Sequence, residues 1–359
     1  MTMPTLDDVT AKLWDTAGPV DAAASYPAGE IALLADAGLL AAALPGGPLI
    51  ADCQGLCGTL TRIGGANLSV GRLYEGHVNA ATLACAYGDG GAAAIIADEV
   101  RHGRISAVWN AERGGGPVAT RTDGGWSITG TKVHCSGAGS VRRPVVTARI
   151  ADTEHAPVLM LFPDTTLPGV SVDLSVWRPS GMRATATGTV TFADMFVPDD
   201  AVVGQPGDYH RSPLFSGGAW RVLAVQLGAL RRILELHADA LVRSGRDNDP
   251  VFRARFATAA GGFELARLSV AEAARRAETS KDHAAIDAYV DGARGQFETL
   301  ALAGIDAARR NVGLGSFIAP NPLDRVIRDL ETYLRQPFLD ASRDAAARYL
   351  LPRRGCFPR

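Results

Sequence analysis

The residues of this 359-residue chain that could do chemistry fall in four places. The first is Leu73-Tyr74-Glu75-Gly76-His77, inside an apolar, helix-forming stretch. A glutamate beside a histidine in a largely apolar cavity has its carboxyl raised by burial, which suits a general base or a polar selector for a functionalised substrate. The alternative is that both side chains lie hydrated on the outer side of the helix. The second place is Glu112-Arg113-Gly114-Gly115-Gly116, whose glycines let backbone N–H groups approach an anionic group. The spacing is not that of a phosphate loop, and a plain loop fits equally. The third is Arg243 and Arg246, either bidentate phosphate partners or helix-end charges facing solvent. The fourth is Cys53 and Cys57, four residues apart, with no second Cys or His pair to complete a zinc site, so no metal is expected.

The scaffold that must position these residues is a mixed one. A net charge of −2, from 36 basic and 38 acidic residues, gives no footprint for nucleic acid. Five cysteines (Cys53, Cys57, Cys85, Cys135 and Cys356) form an odd, irregular set that fits a reducing cytoplasm rather than a disulfide framework. The first residues, MTMPTLDDVTAKLW, lack the basic flank and apolar core of a signal peptide. The longest apolar stretch, from Ile31 to Ile50, is broken by Asp36 and by Pro45-Gly46-Gly47-Pro48, so no membrane span is expected.

Residues 1–104 read as helices: one from Ile31 to Leu40, one from Asn67 to Tyr87 ending at Gly88, and one from Gly91 to Val100. Between 105 and 212 the texture changes to short β-branched runs around 126–129, 144–148, 158–162 and 189–192. Asp123-Gly124-Gly125 reads as a hairpin turn there, and such a pattern predicts a sandwich or barrel. From 213 to 359 the helical period returns. Leu223, Leu227, Leu230 and Leu234 form one stripe, and further helices are expected over 250–279, 283–311, 322–335 and 339–350, a bundle. The expected fold class is therefore α+β and multidomain: an N-terminal helical domain (1–104), a central β-barrel or sandwich domain (105–212) and a C-terminal four-helix-bundle domain (213–359).

Three segments in this order resemble the acyl-CoA dehydrogenase superfamily. Gly124-Gly125-Trp126-Ser127-Ile128-Thr129-Gly130-Thr131-Lys132-Val133-His134-Cys135-Ser136 is similar to its G-[YW]-x-[IL]-x-G-x-K-x-[WF]-[IC]-[TS] stretch. Gly181-Met182-Arg183-Ala184-Thr185 with Phe192-Ala193-Asp194-Met195-Phe196-Val197-Pro198 is similar to its GMR…F-x-D-V-x-VP stretch, and Val312-Gly313-Leu314-Gly315 with Pro322, Arg325 and Arg328-Asp329 to its terminal signature. The resemblance implies FAD as cofactor, an acyl-CoA or similar thioester as substrate, an electron-transfer flavoprotein as acceptor and a homo- or hetero-tetramer in the cytoplasm, with no membrane or nucleic-acid partner. It implies that Ser136 faces flavin N5 and that His134 stands where an aromatic packs on the ring, or is a satisfied core residue. Trp109 and Asn110 replace the Thr-Glu pair that lines the flavin. Arg243, Arg310 and Gly313 match the places where a neighbouring subunit holds the pyrophosphate, and Glu75, His77 and Arg183 line the substrate side.

The same resemblance exposes a gap. The family's catalytic glutamate, counted from Arg328-Asp329, falls on Pro337, and its alternative location reads Gly217-Gly218-Ala219-Trp220-Arg221, without a carboxylate. Glu331 comes too early in the segment, on a face that supports the bundle. Three readings follow: an acyl-CoA dehydrogenase-like oxidoreductase acting on a CH–CH group with Glu75 as a relocated base, a flavin-dependent monooxygenase of the same fold, which needs no such base, and a non-catalytic or half-active subunit paired with a complete homologue.

Overall fold

The computed structural model describes residues 3–44, 46–152, 157–335 and 339–353; the expected glutamate position, Pro337, lies outside the described residues. Six helices come first: α1 (Leu6–Ala23), α2 (Ala28–Asp36), α3 (Leu39–Ala42), α4 (Cys53–Ala66), α5 (Leu68–Tyr87) and α6 (Gly91–Arg101). Eight strands follow: β1 (Val108–Trp109), β2 (Val118–Thr122), β3 (Gly125–Cys135), β4 (Val145–Ile150), β5 (Leu159–Leu161), β6 (Val170–Asp173), β7 (Gly188–Pro198) and β8 (Val202–Val203). The chain then returns to helix as α7 (Leu214–Arg243), α8 (Pro250–Thr279), α9 (His283–Val312), α10 (Pro322–Tyr333) and α11 (Leu339–Leu350). Among the described residues no helix is long and apolar enough to cross a membrane.

Local chemistry explains the helix starts. Asn67 accepts from the Val70 N–H (3.2 Å), Asp249 from Val251 (2.8 Å), Asp282 from Ala285 (3.0 Å) and Asn321 from Leu323 (3.0 Å), each satisfying an orphan donor of the first turn. Pro250 and Pro322 occupy first-turn positions where their missing N–H costs nothing. The segment from Ile31 to Leu40, expected as one helix, is two. Gly38 adopts φ 71° and separates α2 from α3. Two helices of the first region were not individually expected. Helix α1 is opened by a reciprocal capping box between Thr5 and Asp8, and α4 by Asp52.

The strands form one mixed path in the order β6-β7-β3-β2-β4-β5-β8, with β1 parallel to β4. Strand β3 lies inside it, antiparallel to β2 through the tight Asp123-Gly124 turn (Thr122↔Gly125, Gly124 φ 69°) and to β7 on its other edge. Two close backbone approaches fix the helices, one between two helices and one between a helix and the β region. Helices α4 and α7 cross so closely that a Cβ on Gly64 would press into the Val225 carbonyl, and one on Gly228 into that of Thr61. Likewise a Cβ on Gly181 would collide with the α10 backbone at Arg328, and the Met182 N–H donates to Asp329 Oδ1 at 2.6 Å. The Gly-Met-Arg and Arg-Asp segments are thus the two halves of one joint. Burial raises the Asp329 carboxyl to about 6, against Met182 and the nearby arginines.

Candidate functional site

The strip along β1 and β3 gathers four of the expected residues. Trp109 is buried at the end of β1, and its Nε1–H donates to the Ser136 carbonyl (3.0 Å), pinning β1 to the end of β3. Just beyond, the Val133 N–H donates to the Ala111 carbonyl (3.0 Å). Between these segments lies a residue that the sequence reading passed over, Lys132. It is fully buried, and its three N–H bonds go to the Asn110 carbonyl, Glu112 Oε2 and Thr147 Oγ1, each at 2.9 Å. The Thr147 hydroxyl in turn donates to Asn110 Oδ1 (2.7 Å). Burial lowers the Lys132 ammonium and Glu112 pulls it back up. Asn110 and Glu112 therefore serve as the neutralising shell of a buried cation.

The β3 side of the strip is shaped by a bulge. Pairing with β7 slips between Lys132↔Val190 and Cys135↔Gly188, and within the slip His134 takes φ 54°. The irregularity breaks the in–out alternation. His134 consequently stands exposed, which corrects the alternative of a core histidine. Ser136, two residues on, is buried, and its Oγ accepts from the Thr187 hydroxyl at 3.3 Å. Thr187 lies 2.8 Å from the Thr185 hydroxyl, which itself donates to the Met182 carbonyl. With Thr187 donating to it, Ser136 keeps its own proton for a ligand. Gly114, Gly115 and Gly116 form an uninterrupted left-handed run (φ 70°, 99° and 63°), tied down where Arg149 Nε donates to the Gly115 carbonyl (2.6 Å).

A second group lies where α5, α7 and α10 meet. Glu75 is 1% exposed, so the hydrated reading of this residue is overturned. Its Oε2 accepts from Arg72 Nη1 (2.6 Å) and from the Tyr333 hydroxyl (3.4 Å), and its Oε1 from the Asn79 amide. Asn79 Oδ1 accepts from Arg221 Nη1 on α7 at 2.9 Å. Burial raises the Glu75 carboxyl, while Arg72, Arg221 and the two nearest hydrogen bonds lower it. Arg72, Glu75 and Asn79 follow the i, i+3, i+7 spacing that puts side chains on one face, a signal present in the sequence. Arg221 and Tyr333 arrive from 142 and 258 residues away and carried none.

His77 does not join Glu75. Residues two apart on a helix face opposite ways, and His77 packs fully buried on the other side of α5. The Ser106 N–H donates to its Nδ1 (3.1 Å), so Nε2 carries the proton and donates to the Leu40 carbonyl (3.2 Å). Expected to meet substrate, His77 is instead a core residue with both nitrogens engaged, and burial lowers it to about 4. Arg183 is half-buried in a surface cleft lined by Ala24, Trp177, Arg178, Pro179 and Ser180. Glu331 pairs bidentately with Arg309 (2.5 and 2.9 Å), a bundle support as expected.

The remaining expected residues lie at the far end of the bundle. Arg243 is exposed at the close of α7, Arg310 is exposed and paired with Asp306 (2.7 Å), and Gly313 ends α9 at φ 74°. Asn311 binds these helix ends together: its amide donates to His237 Nε2 (2.8 Å) and to the Phe252 carbonyl (3.1 Å), and its carbonyl accepts from Arg246 Nη1 (2.9 Å). Among the described residues, no hydrogen bond or ion pair joins this end to the β1–β3 strip.

No family model matches the chain. YdbM of Bacillus subtilis (strain 168), provisionally named as an acyl-CoA dehydrogenase, is 24% identical over 372 positions, covering 94% of this chain and 93% of that one. Among solved structures, the dibenzothiophene monooxygenase TdsC from Paenibacillus sp. A11-2 superposes with a TM-score of 0.84 at 21% identity, over 98% of both chains. TdsC is also known with FMN and indole bound. KijD3, solved with dTDP, gives a TM-score of 0.85 at 20% identity over 97% of this chain and 95% of its own. The architecture is the acyl-CoA dehydrogenase-like fold shared by these flavin enzymes.

Proposed function

We propose that this acyl-CoA dehydrogenase-like fold carries a flavin-dependent monooxygenase. The observation that carries the reading is the state of Glu75. It is the carboxylate of the α5–α7–α10 cluster, and both its oxygens are already held by Arg72, Asn79 and Tyr333. Three of its about four lone-pair sites are taken and Arg72 is ion-paired to it, which makes it a poor base for a proton on carbon. The likeness to TdsC favours the same reading.

The strip along β3 suits a flavin ring. His134 offers an exposed imidazole face, Ser136 a hydroxyl whose proton is available, and the Gly114–Gly116 run a backbone that approaches closely. A bound reduced flavin would supply oxygen activation, chemistry that uses no carboxylate base. The chain's own work is to place Ser136 by the Trp109 and Thr187 contacts, and to hold Asn110 through Lys132. The same strip serves FMN and FAD alike. FAD is preferred if Arg243, Arg310 and Gly313 of a neighbouring subunit meet a pyrophosphate, in a cytoplasmic tetramer with domain boundaries near 104 and 212.

A second reading is favoured by the burial that raises Glu75 and by the likeness to YdbM. In it Glu75 is the base of an acyl thioester dehydrogenase that passes electrons to an electron-transfer flavoprotein. Oxygen uptake decides between them. Protein supplied with reduced FMN and indole under ¹⁸O₂ is expected to yield product carrying one labelled oxygen. Anaerobic bleaching of bound flavin by octanoyl-CoA, lost in Glu75→Gln, would overturn this in favour of dehydrogenation. A protein that takes up neither FMN nor FAD would sink both and leave the non-catalytic subunit.

A further inference from the structure

The α5–α7–α10 cluster holds two guanidinium groups, Arg72 and Arg221, against a single carboxylate, Glu75. Arg72 is matched to Glu75 at 2.6 Å. Arg221 is not matched: its Nη1 has only the neutral Asn79 amide oxygen, and its Nε is buried with no hydrogen-bond partner among the described residues. The residue is 8% exposed, and burial lowers its guanidinium to about 10, with Glu75 and the exposed Glu278 drawing it back up. A charge taken out of water and left without a counter-ion is costly to the fold.

Two glycines flank the Arg221–Asn79 pair. Gly217 and Gly218, in the first turns of α7, present no side chain over the pair; a Cβ on either would sit 3.6 Å from Arg221 Nη2 and from Asn79 Nδ2 respectively. Helix α7 is also 30 residues long, and its N-terminal end favours negative charge. The orientation of Asn79 fits the same demand, with its amide N–H toward Glu75 and its oxygen toward Arg221. One face of α5 carries this cluster, while its opposite face is tied through His77 and Ser106 to the segment entering β1.

We infer that Arg221, steadied by Asn79, is the recognition group for a monoanionic substrate, a carboxylic acid whose carboxylate completes the buried charge balance. The assignment rests on the proposed function only in naming the substrate class of that enzyme. Binding and oxygen uptake are separate measurements, so either can fail alone.

The test is calorimetric titration of the protein, flavin-free and FMN-saturated, with two matched pairs: benzoate against benzamide, and indole-3-acetate against indole-3-acetamide. The acids are expected to bind on the order of tenfold more tightly than the amides, as when a buried charge gains its partner. In Arg221→Gln the preference should fall below about twofold, while the melting temperature of the ligand-free variant holds or rises, because an uncompensated buried charge has been removed. Arg221→Lys keeps the charge and should keep most of the preference, which preserves the test if the glutamine variant fails to fold. Equal affinity for acid and amide, no binding of either at millimolar concentration, or a preference that survives Arg221→Gln would overturn the assignment.

Discussion

At the scale of single residues, the decisive feature is how completely the polar side chains of α5 are used. His77 gives both ring nitrogens to backbone groups and stays neutral in the fold, its ring lowered from an ordinary 6.5 to about 4 by burial. The unfolded chain takes up a proton there below 6.5 while the fold does not. The stability that His77 contributes is therefore present above 6.5 and lost as pH falls from 6.5 to 4, by up to about 3 kcal/mol at 1.36 kcal/mol per pKa unit. His237, lowered to about 4 by the same cause, adds to this loss. Asp329 works the other way: raised to about 6, it costs the fold stability as pH rises from 3.8 to 6. Urea denaturation at pH 7 and pH 4.5 should show wild-type protein losing stability on acidification. His77→Asn should be less stable at pH 7 but lose less. Parallel losses in the two proteins would show that His77 does not stay neutral.

At the scale of elements, the start signals were legible and the crossings were not. Helices α8 and α9 fall almost where capping residues and hydrophobic spacing put them, because those signals are local. Helix α4 escaped individual notice because Gly55, Gly58, Gly64 and Gly65 lower its helix propensity. The structure explains two of them, since Gly64 and Gly65 let α4 approach the backbone of α7. Motif order announced the fold, yet the Gly181–Met182 docking on Arg328–Asp329 and the Asn79–Arg221 link depend on pairings over a hundred or more residues, which no local pattern encodes. A contrast within α4 tests the crossing. Gly64→Ala should destabilise by about 1–3 kcal/mol or more, because its methyl group meets a fixed carbonyl. Gly58→Ala, with nothing within 4 Å of the new carbon, should stabilise by about 0.5–1 kcal/mol. Thermal denaturation of both reads the result; equal and small effects would mean that the α4–α7 approach is looser than described.

At the scale of the whole molecule, the residues proposed to hold a flavin fall into two separated sets, and the separation has a consequence for assembly. Trp109, Asn110, His134 and Ser136 share the β1–β3 strip, whereas Arg243, Arg310 and Gly313 gather at the end of the bundle beside Asn311. If each site draws its strip from one chain and its bundle end from another, damage to the two sets should complement across subunits. Chains carrying Arg243→Ala with Arg310→Ala should lose most FAD affinity while retaining their melting temperature, since both arginines are exposed and Arg310 has only a surface pair to lose. Chains carrying Ser136→Trp, with a bulky ring in the strip, should lose it as well. Mixed and reassembled, the two variants form hybrid assemblies in which some sites receive an intact strip and an intact bundle end, so FAD uptake measured by absorbance should recover to a fraction of the wild-type level set by the mixing ratio. FMN, which has no pyrophosphate, should be less affected by the arginine changes than FAD. No recovery on mixing, with both parents folded, would mean that the arginines at the bundle end take no part in a shared site and that the strip alone binds the cofactor.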